Sequence, residues 1–234
     1  MIIDCIADTH GQYPTLEGGD LLIVAGDLTA RDNAREYKKF FDWLIKQKYT
    51  RKILVAGNHD NYLEKSCKGG ELSLSLGKEY DENDNFIEYG YHYLCDSGTE
   101  FEGLRIWGSP WTLKFPGMNP HCMAFTCDTE EELAEKWAMI PEDTDILVTH
   151  SPPIAVLDQT VDNRFVGSVS LSAQLGFFSN LKLHVFGHIH EAYGKIDPSA
   201  YLPNYFDVCR HYSVNASHVN EQYQPVNKPI RVIL

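Results

Sequence analysis

The chain has 234 residues with 43% hydrophobic and 12% aromatic content, which excludes a disordered polymer and suits one domain over 1–234. Its 33 acidic against 20 basic residues give a formal charge of −13, and no Lys/Arg run interrupts it, which argues against a groove for a nucleic-acid polymer. A small phosphate ester stays compatible, because bound divalent cations reverse the local charge.

Residues 2–7, 21–25 and 53–56 are predicted as short buried strands, each closed by a polar turn. Between the second and third, a helix is predicted over 32–48, capped by Asp32 or Asn33, with Tyr37, Phe40, Phe41, Leu44 and Ile45 on its apolar face. Strand, helix, strand is the unit of a sheet with helices packed on it. Leu72, Leu74 and Leu76 alternate with polar residues as in a half-exposed strand. The acidic cluster 81–85 resembles a calcium loop, but Phe86 and His92 stand where glycine and glutamate are needed, so a solvated turn is expected. Strands are expected at 91–94 and 104–107, then an aromatic, proline-rich loop from Ser109 to Phe125. Thr129 and Glu132 form a capping box that opens a helix bearing Leu133, Trp137 and Ile140. A strand at 145–149, a helix near 168–179, and strands near 182–186, 192–196, 212–216 and 230–233 complete the chain.

The six cysteines contain no Cys-x-x-Cys pair, Cys5 is expected as a reduced core residue, and a disulfide framework is not expected. The first strand begins at Ile2, leaving no room for a targeting segment, and the longest apolar runs hold about five residues against the ~20 of a membrane span. A cytoplasmic location is the expectation. Nothing in the sequence sets the oligomeric state.

Five polar clusters stand at strand ends: Asp8-Thr9-His10, Gly26-Asp27, Gly57-Asn58-His59-Asp60, Thr149-His150 and Gly187-His188-Ile189-His190. Four directly follow the apolar runs IIDCIA, LLIVA, ILVA and ILVT, and the fifth follows LKLHVF. Singly, each residue reads as a strand-end cap, a turn residue or a structural histidine. Jointly, Asp8, His10, Asp27, Asn58, His150, His188 and His190 are too many for one tetrahedral ion and suit two adjacent ions sharing a carboxylate. Oxygen and imidazole donors without thiolate admit Mn, Fe, Zn, Ni or Mg. His188 and His190 face one side if that stretch is extended. The glycines at 26, 57 and 187 permit close approach of backbone to the site. Histidines 92, 121, 184, 211 and 218 have no such support and are assigned structural or surface roles.

This series of motifs, in this order, resembles the calcineurin-like metallophosphoesterase signature. KKFFDWL, GSPW, THSPP, KLHVFGHIHEAYG and VNAS…YQPVNKPI are similar to its metallophosphoesterase-domain branch, related to class III cyclic-nucleotide phosphodiesterases. The resemblance implies a four-layer α-β-β-α sandwich of two mixed sheets flanked by helices. It also implies a first metal on Asp8, His10 and His190, a second on Asn58, His150 and His188, and Asp27 bridging them. His59 falls at the family's general-acid position, protonating the departing oxygen while a metal-bound hydroxide attacks phosphorus. Many members carry an acidic residue three positions after the bridging Asp, where it orients that histidine; here it is Ala30, with Asp32 a substitute at hand. GDLTARD and GNHD differ from the GDxVDRG and GNHE of Ser/Thr protein phosphatases. The implied substrate is a small phosphodiester such as a cyclic nucleotide, with Trp111 and Phe115 as candidates to stack on a base. A phosphomonoesterase and a low-turnover nucleotide-binding scaffold on the same fold are the alternatives.

Overall fold

The computed structural model describes residues 1–68, 78–80, 86–88, 91–115, 117–198 and 210–234. The predicted Leu72–Leu76 strand and the 81–85 turn lie outside these residues. The elements run β1 (Ile2–Ile6), β2 (Gly19–Ala25), α1 (Ala34–Leu44), β3 (Tyr49–Val55), α2 (Asn61–Lys68), β4 (Lys78–Tyr80), β5 (Phe86–Glu88) and β6 (Tyr91–Tyr93). They continue with β7 (Ser97–Phe101), β8 (Leu104–Ser109), β9 (Thr112–Leu113), β10 (Thr126–Cys127), α3 (Glu130–Trp137), β11 (Ile146–Thr149) and α4 (Val169–Leu175). Last come β12 (Leu183–Phe186), a 3₁₀ turn (His190–Ala192), β13 (Gly194–Ile196), β14 (Tyr212–Asn215) and β15 (Ile230–Ile233).

Two mixed sheets form the centre. One has the order β15-β1-β2-β3-β6, the other β13-β14-β12-β11-β8-β7. In each the interior strands are parallel, and antiparallel partners (β15, β13 and β7) stand at the edges. Side-chain alternation dictates the layering. Ile3, Cys5, Leu21, Ile23, Ile53 and Val55 point inward to meet Ile146, Val148, Leu183, Val185 and Val214 of the other sheet. Leu22, Val24 and Leu54 point outward to Tyr37, Phe40 and Leu44 of α1. On the far side, Leu147 belongs with Leu133 and Trp137 of α3 and Leu171 and Leu175 of α4. The fold is therefore the expected four layers.

Asn33 caps α1, its Oδ1 accepting from the Glu36 backbone N–H at 3.1 Å, and Thr129 caps α3 by accepting from Glu132. The first helix ends at Leu44, short of the predicted 48, because the Lys46 and Gln47 N–H groups bond to carbonyls three residues back, Trp43 and Leu44, and not four. Pattern reading missed α2, whose described side chains are mostly polar, and the edge strand β7, half exposed along its length. Cys95 is disulfide-bonded, while Cys5, Cys122 and Cys127 are free thiols. No helix among the described residues is long and apolar enough to cross a membrane.

Candidate metal centre

Each of the seven ligand-type residues follows the C-terminal end of a parallel strand, where open α/β sheets gather their sites. Asp8 and His10 follow β1, Asp27 follows β2, Asn58 follows β3, His150 follows β11, and His188 and His190 follow β12. Asp8, His10, Asp27 and His188 adopt φ of 49°, 44°, 53° and 69°. Such left-handed backbone is uncommon for residues other than glycine and costs of order 1–3 kcal/mol each, so the packed strands beneath must hold it. The glycines make room. A Cβ on Gly26, Gly57 or Gly187 would overlap the His150 ring, the Asp27 carboxylate or the Asp8 carboxylate respectively.

Two neighbouring groups of donor atoms result. Donors from Asp8, His10, Asp27 and His190 all lie within 4.8 Å of one another, with His10 Nε2 3.3 Å from His190 Nε2. Beside them His150 Nε2 is 3.0 Å from Asn58 Oδ1, and the His150 and His188 ring centroids are 4.9 Å apart. Asp27 belongs to both groups: its Oδ2 is 3.6 Å from His10 Nε2 and its Oδ1 is 3.5 Å from His150 Nε2. That is the disposition a bridging carboxylate needs. His188 and His190 reach different groups through the left-handed turn at His188 and the 3₁₀ turn that begins at His190, not by alternation along an extended strand.

The protonation states suit cation binding. Burial lowers the pKa of His10 to about 4 and of His188 to about 3, so both rings offer a free lone pair at neutral pH. Burial pushes Asp8 upward, but His190, His150 and His10 around it hold its carboxyl well below the ordinary range. Asp27 is likewise held low against burial by His150, His59 and His10. His150 Nδ1 faces the Ala25 carbonyl at 3.0 Å and His190 Nδ1 the Asn220 carbonyl at 3.2 Å. A proton on each Nδ1 leaves Nε2 as the donor to a cation, the usual second contact of a metal-binding histidine. Convergent nitrogens, carboxylates kept ionised and fixed tautomers all fit a pair of divalent ions.

Several supporting residues carried no signal in the sequence. Ser217 Oγ lies 2.6 Å from Asp8 Oδ2, and the His188 backbone N–H donates to the same carboxylate at 3.0 Å. Asp60 was visible in its cluster without a role. It accepts from the backbone N–H groups of Gly57 (2.9 Å) and Leu28 (3.2 Å), tying the Asp27 and Asn58 turns together, and burial beside Asp27 raises its pKa to about 7.

The model for calcineurin-like phosphoesterase matches residues 1–192. The chain belongs to that family. Metallophosphoesterase domain-containing protein 1 of Homo sapiens is 37% identical over 242 residues, covering 98% of this chain and 70% of that protein, and its Mus musculus counterpart matches equally. Among solved structures, TT1561 of Thermus thermophilus superposes with a TM-score of 0.56 at 15% identity, covering 92% of this chain and 88% of that one. Phosphopantetheinyl Hydrolase (PptH) from Mycobacterium tuberculosis gives a TM-score of 0.54 at 16% identity, covering 99% and 95%. At such identities the structural likeness speaks for the fold alone. This calcineurin-like phosphoesterase is thus a metal-dependent phosphoester hydrolase, of a family whose centre holds two divalent cations.

Around the centre of this phosphoesterase, the remaining candidates part ways. His59 Nε2 lies 3.9 Å from Asp27 Oδ2, and the ring lines an open cavity of about 550 Å³ with Ala30, Asp32, Asn61, His121 and Cys122. Asp32 does not take the place of the missing acid: its Oδ1 accepts from the Tyr37 hydroxyl (2.7 Å) and the Tyr62 backbone N–H (3.0 Å). Trp111 is only 9% exposed, donates to Asp96, and has Phe125 and Lys136 against its ring, so it packs in the core. Phe115 is 50% exposed with its ring 6.4 Å from that of His188. Tyr223, unmarked in the sequence, stands over the first group with its ring 4.9 Å from His10 and 5.2 Å from His190.

Proposed function

We propose that the protein hydrolyses small phosphodiesters of nucleotide size, with His59 as general acid. Asp8, His10 and His190 hold one cation, Asn58, His150 and His188 the other, and Asp27 spans both. Bound there, the cations supply Lewis acidity and a water acidified toward neutral pH. Asp8 and Asp27 stay ionised to hold them, and His10 and His188, kept neutral by burial, add one imidazole to each group. His59 carries the proton that the departing oxygen needs, a contribution worth ~10²–10⁴ in rate.

The observation that carries the diester reading is the cavity of about 550 Å³ on the His59 side of the centre. Room for a bulky leaving group beside His59 supports that reading, and the volume is within the usual range of a small-molecule site. A low-turnover nucleotide-binding role is the second reading, favoured by the contact at His59 Nδ1, where a thiol stands instead of a carboxylate.

A screen of the metal-loaded protein against a bis-aryl phosphate, an aryl monophosphate and 2′,3′- and 3′,5′-cyclic nucleotides separates these readings. Turnover of diesters above the monoester is the expected result. Tight nucleotide binding without turnover under any metal would favour the binding role, and monoester preference would reverse the substrate class. His59→Ala should cut turnover while metal content survives; full activity in that variant removes His59 from the mechanism.

A further inference from the structure

We propose that Cys122 is the positioning residue for His59, supplying from a distant loop the hold that an acidic residue at position 30 would give. The proposal rests on the reading of His59 as proton donor. Cys122 Sγ lies 3.4 Å from His59 Nδ1, within hydrogen-bond reach for sulfur. It is the contact found at that nitrogen among the described residues, since Asp32 is engaged by Tyr37 and Tyr62.

The sulfur is held in place by bonds that do not involve it. Asn58 Nδ2 donates to the Cys122 carbonyl at 3.0 Å, the Ala124 N–H to the Asn58 carbonyl at 3.1 Å, and Asn61 Nδ2 to the His121 carbonyl at 2.9 Å. The Phe125 N–H donates to Glu64 Oε1 at 3.2 Å. The 119–125 loop is thus strapped to the turn that carries both Asn58 and His59. Removing the thiol leaves all four bonds in place.

The chemistry follows from the donor inventory. A thiol S–H donates weakly and a sulfur accepts weakly. Burial keeps the Cys122 thiol protonated, with its pKa raised to about 11, so an uncharged sulfur stands against Nδ1. Nε2 is then the nitrogen turned toward Asp27 and the centre, and in the proton-donating cationic ring Nδ1–H points to the sulfur. A carboxylate at the same spot would accept Nδ1–H and favour the cationic ring. The thiol therefore orients the ring without adding charge beside Asp27.

The test compares wild type, Cys122→Ala, Cys122→Ser and His59→Ala, all manganese-loaded, on phenyl methyl phosphate and 4-nitrophenyl methyl phosphate. The phenyl ester departs as a poor leaving group and needs the proton; the nitrophenyl ester does not. Cys122→Ala should lower kcat on the phenyl ester about tenfold, part of the ~10²–10⁴ of a positioned donor, with KM and the nitrophenyl rate within about twofold. Cys122→Ser, which keeps a hydroxyl at that spot, should restore most of the loss. Equal loss on both esters overturns the proposal. If His59→Ala steepens the leaving-group dependence and Cys122→Ala does not, the Cys122 role falls while the acid stands. If His59→Ala leaves the dependence flat, the acid reading falls and takes this proposal with it.

Discussion

Ser217→Ala is the sharpest probe of how the centre is held. Its hydroxyl is fully buried, 2.6 Å from Asp8 Oδ2 and 2.8 Å from Asn215 Oδ1. Asn215 Oδ1 already accepts the Ser217 backbone N–H, and its Nδ2 donates to two carbonyls, so the hydroxyl proton goes to the charged acceptor, Asp8. A hydrogen bond to a charged group contributes roughly 1.5–3 kcal/mol. The His188 N–H keeps feeding the same carboxylate, so the lower half of that range applies. At about 1.4 kcal/mol per decade this is roughly a tenfold to fortyfold loss of affinity, matching the ~10–100-fold typical of a lost second contact on a metal ligand. Calorimetric titration of the metal-free variant with Mn²⁺ should show the first ion weakened by that factor and the second within about twofold. First-ion affinity unchanged in a variant with a wild-type unfolding midpoint would refute the role of Ser217. Equal weakening of both ions would show that the effect passes through the fold and not through Asp8.

Three further outcomes are expected. His188→Ala should empty the second ion site and spare the first, and His190→Ala the reverse; metal analysis of purified protein finding both ions in either variant would break the two-ion assignment. Gly57→Ala puts a Cβ 2.6 Å from the Asp27 nitrogen and 2.7 Å from His150 Cε1, which no relaxation of a flexible side chain relieves. Overpacking of this kind costs typically ~1–3 kcal/mol, so an unchanged midpoint in urea would contradict the site geometry. Burial holds His211 at a pKa of about 4, below the ordinary 6.5, and His184 well below it. Both are unprotonated when folded, whereas the unfolded chain takes up their protons below about 6.5. Stability should therefore fall with pH from about 6.5 toward 4, by up to about 1.4 kcal/mol per unit for each ring, and not above it. His211→Phe should remove about one proton's worth of that slope, as read by urea unfolding across this range; an unaltered slope would count against a buried neutral ring.

The sheets and the gathering of the ligand-type residues were legible in the sequence because buried parallel strands read as apolar runs, and each run leads into a ligand-type residue. IIDCIA before Asp8 and ILVT before His150 mark both strand and site. The mostly polar start of α2 and the half-exposed β7 lack that contrast and went unseen. Spacing also misled locally. His188 and His190 at i, i+2 suggested one shared face, yet a left-handed φ of 69° at His188 sends the two rings to different groups. Ser217, Tyr223 and Cys122 were invisible for another reason. Their roles come from loops folded over the strand ends, and no periodicity records which loop lands there. Trp111 showed the converse: an aromatic in the site loop whose side chain the core had already claimed.

The contacts on Asp8 have a consequence in time. Its carboxylate is reached by residues 180 and 209 positions further along the chain, His188 and Ser217. Closing such long loops comes late in folding, because ordering must precede the contacts that reward it. A nascent chain shorter than residue 217 therefore holds the donors of the first group without the hydroxyl on the Asp8 carboxylate, however complete its first sheet strands. A ribosome-bound fragment ending before β14 would carry Asp8, His10, Asp27 and both histidines of the His188–His190 turn, yet lack the hydroxyl on the Asp8 carboxylate and the Asn220 carbonyl that sets the tautomer of His190.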